Sequence, residues 1–462
     1  MTEAPSQVFA ANFLANLVGT LDVRHIYLAP GSRSQALAVA AEQLASAGKV
    51  KLHVRIDERS MAFSALGTAL ATQTPVVLIT TSGTAVANLH PAVLEAHHSG
   101  VPLILLTADR PTELRGVGAN QTTDQVNIFA NAVSVVFDVA APMAEIDEAK
   151  RARDAVKALV SAMSEAGGPK QFNIAFREPL SSSSPDAALI AAPPLEAETI
   201  EPEIEWAVLD AKIPTVVIAG AGAGEEAVEL AESFGWPLFA EPSSGARFGL
   251  NAIVGYRRLL QNQHDLAQQI KRVIVFGKPT LSRQVTALFF DENIETVVVR
   301  SKTHGLFDVA RRAAQFVDEI TVDDEVDFEW LASWRQADQE NEFKFSETLD
   351  RANLVRELYL ASDQNDCIVL GASRLIREAD SMAPAKPIAV FSNRGLAGID
   401  GTIATATGIA IANHDFFSDH GVESIGITRA LMGDITALHD ASSLAFDQQD
   451  SDLNLQICLL YT

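Results

Sequence analysis

A strand and helix alternation across residues 53–121 constrains the fold of this chain more than any other feature. Its middle strand, residues 76–79, reads Val-Val-Leu-Ile and carries no polar side chain. A strand of that kind is typical of a sheet covered on both faces, which is the environment of parallel strands. Apolar residues at helical spacing follow the strands, and the sequence predicts a helix over 85–96 after the middle one. The segment therefore favours a doubly wound α/β domain.

Chemically active side chains follow the predicted strands of this segment. Glu58 follows the first strand (53–56), Ser82 and Gly83 follow the second, and Arg110 follows the third. Ligands of open parallel sheets bind outside the carboxyl ends of the strands. We therefore expect these residues to converge on one site.

Length and charge bound the class of protein. A chain of 462 residues, 48% of them apolar, is long enough for about three domains of roughly 150 residues each. The formal net charge of −24 argues against a nucleic acid or an anionic membrane as partner, because both attract basic surfaces. Any anionic ligand must instead be bound by a local cluster of arginines.

Cysteine use and hydropathy bear on the compartment. The two cysteines, Cys367 and Cys458, lie in apolar strand patterns, which predicts buried and reduced thiols. The sequence contains no uninterrupted run of about 18 apolar residues, and its start lacks a basic segment followed by an apolar one. We therefore expect a cytoplasmic protein that does not enter a membrane.

Composition divides the chain into three predicted domains, residues 1–185, 203–345 and 350–462. Ser, Pro, Ala and Glu dominate residues 181–202, as expected of a linker. The middle domain has a glycine run at 220–224, but its spacing is G-x-G-x-G and not the dinucleotide-binding G-x-G-x-x-G. A nicotinamide-dependent oxidoreductase is therefore the weakest alternative. The acidic run at 317–329 is predicted to be a solvated face.

The third domain repeats the order of elements in the first. The strand at 367–370 leads into Gly-Ala-Ser-Arg, as the strand at 25–28 leads into Ala-Pro-Gly-Ser-Arg. An apolar strand at 425–432 leads into Gly433 and Asp434, as the strand at 76–79 leads into Ser82 and Gly83. The sequence therefore predicts two copies of one fold that flank a different domain.

This domain order resembles that of the thiamine-diphosphate-dependent enzymes, in which a pyrimidine-binding and a diphosphate-binding domain share a fold and flank a third. Within that superfamily, the motifs are similar to those of the 2-succinyl-5-enolpyruvyl-6-hydroxy-3-cyclohexene-1-carboxylate synthases of menaquinone biosynthesis. The motifs that carry the resemblance are Ala-Pro-Gly-Ser-Arg-Ser at 29–34, Asp-Glu-Arg at 57–59, Thr-Ser-Gly-Thr-Ala-Val-Ala-Asn at 81–88, Thr-Ala-Asp-Arg-Pro at 107–111, Gly-Ala-Asn-Gln at 118–121, Ser-Asn-Arg-Gly at 392–395 and Gly-Ile-Asp-Gly at 398–401.

The resemblance implies a fold, a reaction and cofactors. The fold is three doubly wound parallel-sheet domains. The reaction is decarboxylation of 2-oxoglutarate followed by 1,4-addition of the succinyl carbanion equivalent to isochorismate, with thiamine diphosphate and Mg²⁺ or Mn²⁺ as cofactors. The enzyme is thus a transferase, and each active site is shared between the first domain of one subunit and the third domain of another. A homodimer or homotetramer is therefore implied.

The resemblance also assigns roles to residues of this chain. Glu58 is the catalytic residue, a carboxylate that hydrogen-bonds the aminopyrimidine ring of the cofactor, and Asp434 is the carboxylate ligand of the metal. Both substrates are dianions, and the planar fork of arginine pairs well with carboxylates. The implied substrate-binding residues are Ser32, Arg33, Arg110, Asn120, Gln121, Arg283, Ser373, Arg377 and Arg394. The implied cofactor-binding residues are Glu58, Ser82, Gly83, Arg394, Gly395, Gly433, Asp434 and Ile435.

The sequence departs from the resemblance at its end. An Asn-Asn pair, the second half of the metal motif, would follow the last strand, and the sequence stops at Thr462. We therefore expect the third domain to be incomplete, and a chain ending there to bind the cofactor weakly and turn over slowly.

Two alternatives remain open on the residues. Another thiamine-diphosphate carboligase, similar to acetolactate synthase, would act on pyruvate, a monoanion that does not need so many arginines. A non-catalytic homologue would keep the fold as a binding module. The sequence end favours the non-catalytic alternative, whereas Glu58 and the arginines oppose it.

Overall fold

The computed structural model describes residues 4–165, 167–191, 204–262, 265–301, 305–323, 326, 328–421, 425–445 and 453–461. The chain divides into two compact units. Unit 1 comprises Met1–Ile200, Asp400–Glu423 and Ala437–Asn454, and unit 2 comprises Glu201–Ile399, Ser424–Thr436 and Leu455–Thr462. Residues 192–202, the second half of the predicted linker, and Thr462 lie outside the described residues. The boundaries of the three predicted domains stay a prediction.

Unit 1 contains a parallel six-stranded sheet, which confirms the α/β fold predicted for the first part of the chain. The strand order is β2-β1-β3-β4-β6-β5, so the chain winds outward in both directions from the centre. The strands are β1 His25–Leu28, β2 Lys51–Val54, β3 Val76–Thr80, β4 Leu103–Asp109, β5 Val136–Val139 and β6 Lys170–Ala175. The helices are α1 Pro5–Leu21, α2 Gln35–Ser46, α3 Glu58–Thr72, α4 Thr84–Asn88, α5 His90–Ser99 and α6 Glu148–Glu165.

The central strands of this sheet are buried on both faces, as their apolar sequence predicts. β3 and β4 are buried along their whole length. Alternate side chains of β3 enter two different hydrophobic clusters, since Val77 and Ile79 pack on one face and Val76 and Leu78 on the other. Each such side chain contributes about 1.5–3 kcal/mol to folding when fully buried.

Unit 2 contains two parallel sheets of five and four strands and a two-stranded pair. The five-stranded sheet has the order β12-β11-β10-β8-β9, and β13 pairs with β7. The elements of this part are β7 Trp206–Leu209, β8 Thr215–Ala219, α7 Glu226–Ser233, β9 Leu238–Ala240, α8 Tyr256–Gln261, α9 Asp265–Gln269, β10 Arg272–Phe276, α10 Arg283–Phe290, β11 Glu295–Val299, β12 Ala313–Val317, β13 Glu319–Val322 and α11 Glu329–Glu340.

The four-stranded sheet of unit 2 has the order β15-β14-β16-β17. Its strands are β14 Cys367–Leu370, β15 Ala389–Phe391, β16 Thr428–Gly433 and β17 Leu455–Leu460. The helices of this region of the chain are α12 Arg351–Leu360, α13 Arg374–Met382, α14 Thr402–Asp419 and α15 Asp434–His439. Helix α14 lies between β15 and β16 in the chain but belongs to unit 1.

Four local expectations need correction. The helix predicted over 85–96 is two helices, because the chain turns at Leu89 between α4 and α5. The strand predicted at 53–56 is β2, which begins and ends two residues earlier, at Lys51–Val54.

The acidic run at 317–329 is not only a solvated face, since it contains β13 and the buried Val317 and Ile320. Cys367 is buried as expected, whereas Cys458 on the edge strand β17 is only half-buried.

Among the described residues, no helix is both long and apolar enough to cross a membrane.

Candidate active site

The carboxyl ends of β3 and β4 carry a compact cluster of predicted site residues. Arg110 donates from Nη1 to the Gln121 carbonyl at 2.7 Å and to the Ser82 hydroxyl. The Ser82 hydroxyl donates to the same carbonyl at 3.1 Å, and the Gln121 side-chain amide donates back to the Ser82 carbonyl at 2.8 Å. The structure thus joins Ser82, Arg110 and Gln121, while their roles stay predictions. Asn120 precedes Gln121 in the same loop and is exposed.

Ser32 and Arg33 lie in a short 3₁₀ helix, Ser32–Ser34, which follows β1. β1 is the neighbour of β3 in the sheet. Arg33 donates from Nη1 to the Phe176 carbonyl at 2.9 Å. Burial and the neighbouring Arg33 charge lower the pKa of Arg110, so the two guanidinium groups influence each other. Two arginines that share a site favour an anionic ligand between them.

A neutral amide supports this cluster, and the sequence alone did not reveal it. Gln125 is 1% exposed, and its side-chain oxygen accepts the Gly83 N–H at 2.9 Å. Its side-chain nitrogen donates to the Ala108 carbonyl at 3.2 Å and to Asn173 Oδ1 at 3.0 Å. One side chain therefore ties the turn after β3 to the end of β4 and to β6. Because those partners come from different strands, no spacing in the sequence could have identified it.

Paired charges extend this network toward β5. Asn173 donates to Asp109 Oδ2 at 3.0 Å and to Asp138 Oδ1 at 3.0 Å. Arg115 lies 3.0 Å from Asp109 and 2.9 Å from Asp138. The buried Asp109 thus has both an amide donor and a cation, which is the arrangement that makes a buried carboxylate tolerable.

Glu58 is the first residue of α3 and is half-buried. The Asp57 carboxylate caps the helix by accepting from the N–H groups of Arg59 at 2.9 Å and Ser60 at 3.2 Å. An acidic residue in the first turn is also stabilised by the helix dipole. Glu58 follows β2, which β1 separates from β3 in the sheet, so Glu58 does not follow a strand adjacent to that of Ser82.

A buried clamp holds the start of α3. The Ser60 and Ser443 hydroxyls lie 2.6 Å apart, and Ser443 donates to Asp440 Oδ1 at 2.7 Å. The other Asp440 oxygen accepts the Ala404 N–H at the start of α14 at 3.0 Å, and Arg59 Nη2 lies 3.5 Å from Asp440. Burial raises the pKa of Asp440. The side chains of the two residues that follow Glu58 are therefore anchored, and the first turn of α3 is held in place.

Close packing of α3 on α14 adds to this support. A side chain at Gly408 would place its first carbon 1.9 Å from the Ser64 carbonyl oxygen, so only glycine fits there. Thr68 donates to the Gly408 carbonyl at 3.0 Å and lies 2.6 Å from the Tyr27 hydroxyl. The helix that begins with Glu58 is thus held at its start by the clamp and farther along by α14.

Unit 2 contains the remaining predicted arginines. Arg394, after β15, is 9% exposed and donates from Nη2 to the Thr280 hydroxyl at 2.8 Å. Thr280 lies in the turn that leads to Arg283, the exposed first residue of α10. Arg377 is exposed on α13, and its carbonyl accepts from Arg257 at 2.9 Å. The structure therefore links Arg394 to the turn before Arg283, and Arg377 to α8.

The other predicted residues of unit 2 lie at strand ends. Ser373 and Gly395 are half-buried after β14 and β15. Asp434 is half-buried at the start of α15, and its Oδ1 accepts the Ile435 N–H at 2.9 Å, while the Ile435 side chain is exposed. A side chain added at Gly433 would meet nothing within 4 Å, so the space beside this glycine is open.

The glycine run at 220–224 has a packing explanation. A side chain at Gly220 would place its first carbon 2.0 Å from the Pro279 nitrogen. Ala221 and Lys278 exchange backbone hydrogen bonds of 3.3 and 3.0 Å. The run thus lets the turn after β8 approach the turn after β10, and this close approach accounts for the glycine without a bound nucleotide.

The N-terminal part of the chain matches a family model. Residues 9–128 match the thiamine pyrophosphate enzyme N-terminal TPP-binding domain. These residues contain Glu58 and the cluster of Ser82, Arg110 and Gln121. A solved structure from Mycobacterium smegmatis, assigned as a thiamin diphosphate-dependent enzyme, covers 98% of this chain and 88% of its own with a TM-score of 0.64. Its identity of 16% shows a common fold alone.

Curated relatives are similar over nearly the whole chain. A 2-succinyl-5-enolpyruvyl-6-hydroxy-3-cyclohexene-1-carboxylate synthase from Leifsonia xyli is 42% identical over 99% of this chain and 84% of its own length. Synthases of the same name from Renibacterium salmoninarum and Clavibacter michiganensis are 40% and 43% identical over 95% and 91% of this chain, and 78% of each relative is covered. The chain therefore belongs to the thiamine-diphosphate-dependent family of 2-succinyl-5-enolpyruvyl-6-hydroxy-3-cyclohexene-1-carboxylate synthases.

Proposed function

We propose that this chain catalyses the reaction of 2-oxoglutarate with isochorismate that gives 2-succinyl-5-enolpyruvyl-6-hydroxy-3-cyclohexene-1-carboxylate and CO₂ in menaquinone biosynthesis. As a member of its family, the chain is a thiamine-diphosphate-dependent transferase. The observation that carries the proposal is the hydrogen-bonded cluster of Ser82, Arg110 and Gln121, with Arg33 beside it, in the part of the chain that matches the family model. This cluster suits a substrate with more than one carboxylate.

Several residues fit thiamine diphosphate. Glu58 is half-buried, and the clamp on Arg59 and Ser60 anchors the first turn of the helix that carries it, which suits a carboxylate that would hold a hydrogen bond to a ring nitrogen. Bound thiamine diphosphate supplies the carbon nucleophile that a 2-oxo acid needs in order to lose CO₂. Glu58 would accept or return the proton at the pyrimidine ring, and the turn at Ser82 and Gly83 would line the same ring.

The diphosphate end suits a hard cation. Mg²⁺ prefers oxygen ligands and usually binds through one or two carboxylates together with phosphate oxygens. The half-buried Asp434 carboxylate, beside the open space at Gly433, can supply such a ligand. Within the described ranges, no group of three or more His, Cys, Asp or Glu side chains could hold a metal by itself. Mg²⁺ or Mn²⁺ would be held by the Asp434 carboxylate together with oxygens of the diphosphate, and Ile435 would line the cofactor beside it.

The arginines would orient the two substrates. Arg33 and Arg110 in unit 1, and Arg283, Arg377 and Arg394 in unit 2, can each pair with a carboxylate by two parallel N–H donors. Their neighbours Ser32, Asn120, Gln121 and Ser373 would add neutral hydrogen bonds that do not compete for charge.

Product analysis tests this function. The protein is incubated with thiamine diphosphate, Mg²⁺, 2-oxoglutarate and isochorismate, and separately with pyruvate alone. We expect CO₂ release and the succinylated product from the first mixture, and no acetolactate from the second. Acetolactate from pyruvate, without reaction of 2-oxoglutarate, would reject the proposal in favour of the other carboligase.

Calorimetric titration of the 462-residue chain with thiamine diphosphate, in Mg²⁺ and in Mn²⁺, decides the cofactor assignment. Saturable binding of thiamine diphosphate would support the assignment, and no binding with either metal would favour the non-catalytic alternative.

The assembly and the compartment are further parts of the proposal. We expect a homodimer or homotetramer, measured by sedimentation equilibrium. The two cysteines are not bonded to each other, which suits a reducing cytoplasm. Nucleic acid and membrane are not expected as partners of so acidic a chain.

A further inference from the structure

Glu241 is a buried carboxylate at the carboxyl end of β9, and no sequence motif predicts a role for it. Only 1% of the surface of Glu241 is exposed. Its backbone N–H donates to the Ala219 carbonyl at 2.9 Å, which extends the pairing of β9 with β8. Burying a carboxyl group is costly unless its hydrogen bonds are specific. An acid at this position therefore requires an explanation.

The Glu241 carboxyl group holds the turn between β10 and α10. Its Oε1 accepts the Leu281 N–H at 2.7 Å, and the Thr280 N–H also favours its charged form. Close packing of Pro279 on Gly220 fixes the same turn. The turn is thus held by one carboxyl group and by one close contact between turns.

This turn also supports two predicted substrate arginines. The Thr280 hydroxyl accepts from Arg394 Nη2 at 2.8 Å. Arg283 begins α10 shortly after Thr280, with Ser282 at the N-cap. A shift of the turn would move both the partner of Arg394 and the start of the helix that carries Arg283.

A second buried acid is linked to the third arginine of unit 2. Asp380 on α13 is 0% exposed and accepts from the Tyr256 hydroxyl. Arg257 Nη1 lies 3.7 Å from Asp380 Oδ2 and donates to the Arg377 carbonyl. The charged or titratable groups around Glu241 are Asp380, Arg394 and Tyr256, and burial raises the pKa of Asp380 too, against the opposing charges of Arg247 and Arg257.

Electrostatics indicate the protonation state of Glu241. Burial and the Asp380 carboxylate raise the pKa of Glu241 to about 8, against the opposing effects of the Leu281 N–H and of Arg394. Near neutral pH the group keeps its proton, so no buried charge competes with a substrate carboxylate for Arg394. Above that pKa the ionised group attracts Arg394 and weakens substrate pairing.

We propose that Glu241 is a positioning residue, which fixes the turn at 280–281 so that Arg283 and Arg394 keep the geometry that binds a dianionic substrate. The inference rests on the proposed function, because it takes these arginines as substrate ligands. Glu241 itself touches neither substrate nor cofactor in this role.

The test compares E241Q and E241L with the unaltered protein in the presence of thiamine diphosphate and Mg²⁺. E241L removes the acceptor of the Leu281 N–H, and we expect the KM for at least one of the two dianions to rise about tenfold or more, with little change in kcat. E241Q resembles the protonated form, so it should match the unaltered protein at pH 7. It should also lose the rise in KM that we expect for the unaltered protein above pH 8.

A matched control and a double-mutant cycle separate positioning from folding. E295Q makes the same substitution on β11 of the same sheet, at the ion pair with Arg272, and should leave both KM values unchanged. T280V removes the acceptor of Arg394, and its combination with E241L should add little to the larger single effect, since both act through one turn. If E241L does not fold, the pH dependence of KM, measured in E241Q and in T280V, tests the inference instead.

The outcomes distinguish the inference from the function on which it rests. If the unaltered protein binds 2-oxoglutarate in calorimetry but shows no turnover, the proposed function is rejected. The affinity of E241L for 2-oxoglutarate then decides the inference. Unchanged affinities in E241L, or a KM of the unaltered protein that is flat through pH 8, overturn the inference alone. Binding of neither dianion by the unaltered protein overturns both.

Discussion

The two units support their predicted substrate arginines with different chemistry. In unit 1, Arg110 is held by Ser82 and Gln121, and the turn beside them is held by the amide of Gln125. In unit 2, Arg394 is held by Thr280, whose turn is held by the carboxyl group of Glu241. Amides do not titrate, whereas a buried acid does. The geometry of the unit 1 cluster should therefore be insensitive to pH, and that of unit 2 should respond to alkali.

Unit 1 also contains a pair of titratable histidines, which do not belong to the cluster of Ser82, Arg110 and Gln121. His25 and His53 lie on β1 and β2, with Nδ1 of the first 3.2 Å from Nε2 of the second. Burial lowers the pKa of His25 to about 4, although Asp415 acts in the opposite direction, and burial lowers the pKa of His53 well below its usual value. A buried neutral histidine is sensitive to acid. Through this histidine pair unit 1 should lose stability in acid, whereas through Glu241 unit 2 should lose stability in alkali.

The largest expected effect concerns Glu58 in unit 1. Glu58→Gln should lower kcat about 10²–10⁴-fold, the usual contribution of a positioned acid or base, with little change in the KM of either substrate. Arg394→Lys in unit 2 should instead raise KM, because it loses the bidentate fork. Steady-state kinetics with both substrates separates the two. Equal effects of both variants on kcat and KM would remove the functional difference between the units.

The next effect tests the amide support of unit 1. Gln125→Leu removes one hydrogen bond each from the Gly83 N–H, the Ala108 carbonyl and Asn173, of which Asn173 Oδ1 keeps the Thr107 hydroxyl, and should lower the free energy of unfolding by about 3 kcal/mol. Urea unfolding measures this loss. Gln339→Leu, on the exposed face of α11, is the control and should change stability by less than about 0.5 kcal/mol. A loss as small as that of the control would mean that the network is not needed for stability.

The dependence of stability on alkaline pH tests the role of the buried Glu241 carboxyl group in unit 2. The pKa of Glu241 is raised from 4.5 to about 8, so between these values the folded chain binds a proton that the unfolded chain has lost. The free energy of unfolding should therefore fall as pH rises through this window, by at most about 1.4 kcal/mol per pH unit. Denaturant titrations of the unaltered protein and of Glu241→Gln, which cannot ionise, measure the slope. Parallel slopes in the two proteins would contradict the assignment.

Acid pH tests the histidine pair of unit 1, with the opposite sign. The pKa of His25 falls from 6.5 to about 4 on folding, so within this window the unfolded chain binds the extra proton. The free energy of unfolding should decrease as pH drops from 6.5 toward 4, again by at most about 1.4 kcal/mol per unit for this residue. His25→Gln should show a shallower decrease. A decrease as steep as in the unaltered protein would assign the acid sensitivity to other groups.

Much of the fold followed from periodicity, and the errors have physical causes. The burial of β3 and β4 was readable because parallel strands need apolar side chains on both faces. The prediction overlooked the break between α4 and α5, although Pro91 marks it, because proline has no N–H to donate and lies in the first turn of α5. The acidic stretch at 317–329 was predicted to be a solvated face, and β13 within it was missed. Alternate side chains of an edge strand can be charged while others, here Ile320, are buried.

The predicted site residues show the same division. The positions of Glu58, Ser82 and Arg110 after strands could be predicted from the sequence, and strand ends of parallel sheets are where ligands bind, while their roles stay predictions. Gln125, Asp440 and Glu241 could not, because each acts through partners that are distant in the chain. Nothing in a linear pattern marks a hydrogen bond that forms only after several strands have paired.

The sequence by itself determined the parallel sheets, the strand ends that bear Glu58 and the arginines, and the motifs that mark the family, since these depend on local order along the chain. Only the tertiary structure decided which groups hold those side chains in place, and whether the supports titrate. The physical reason is that burial and proximity set both the cost of a polar group and its pKa, and neither exists until the chain is folded.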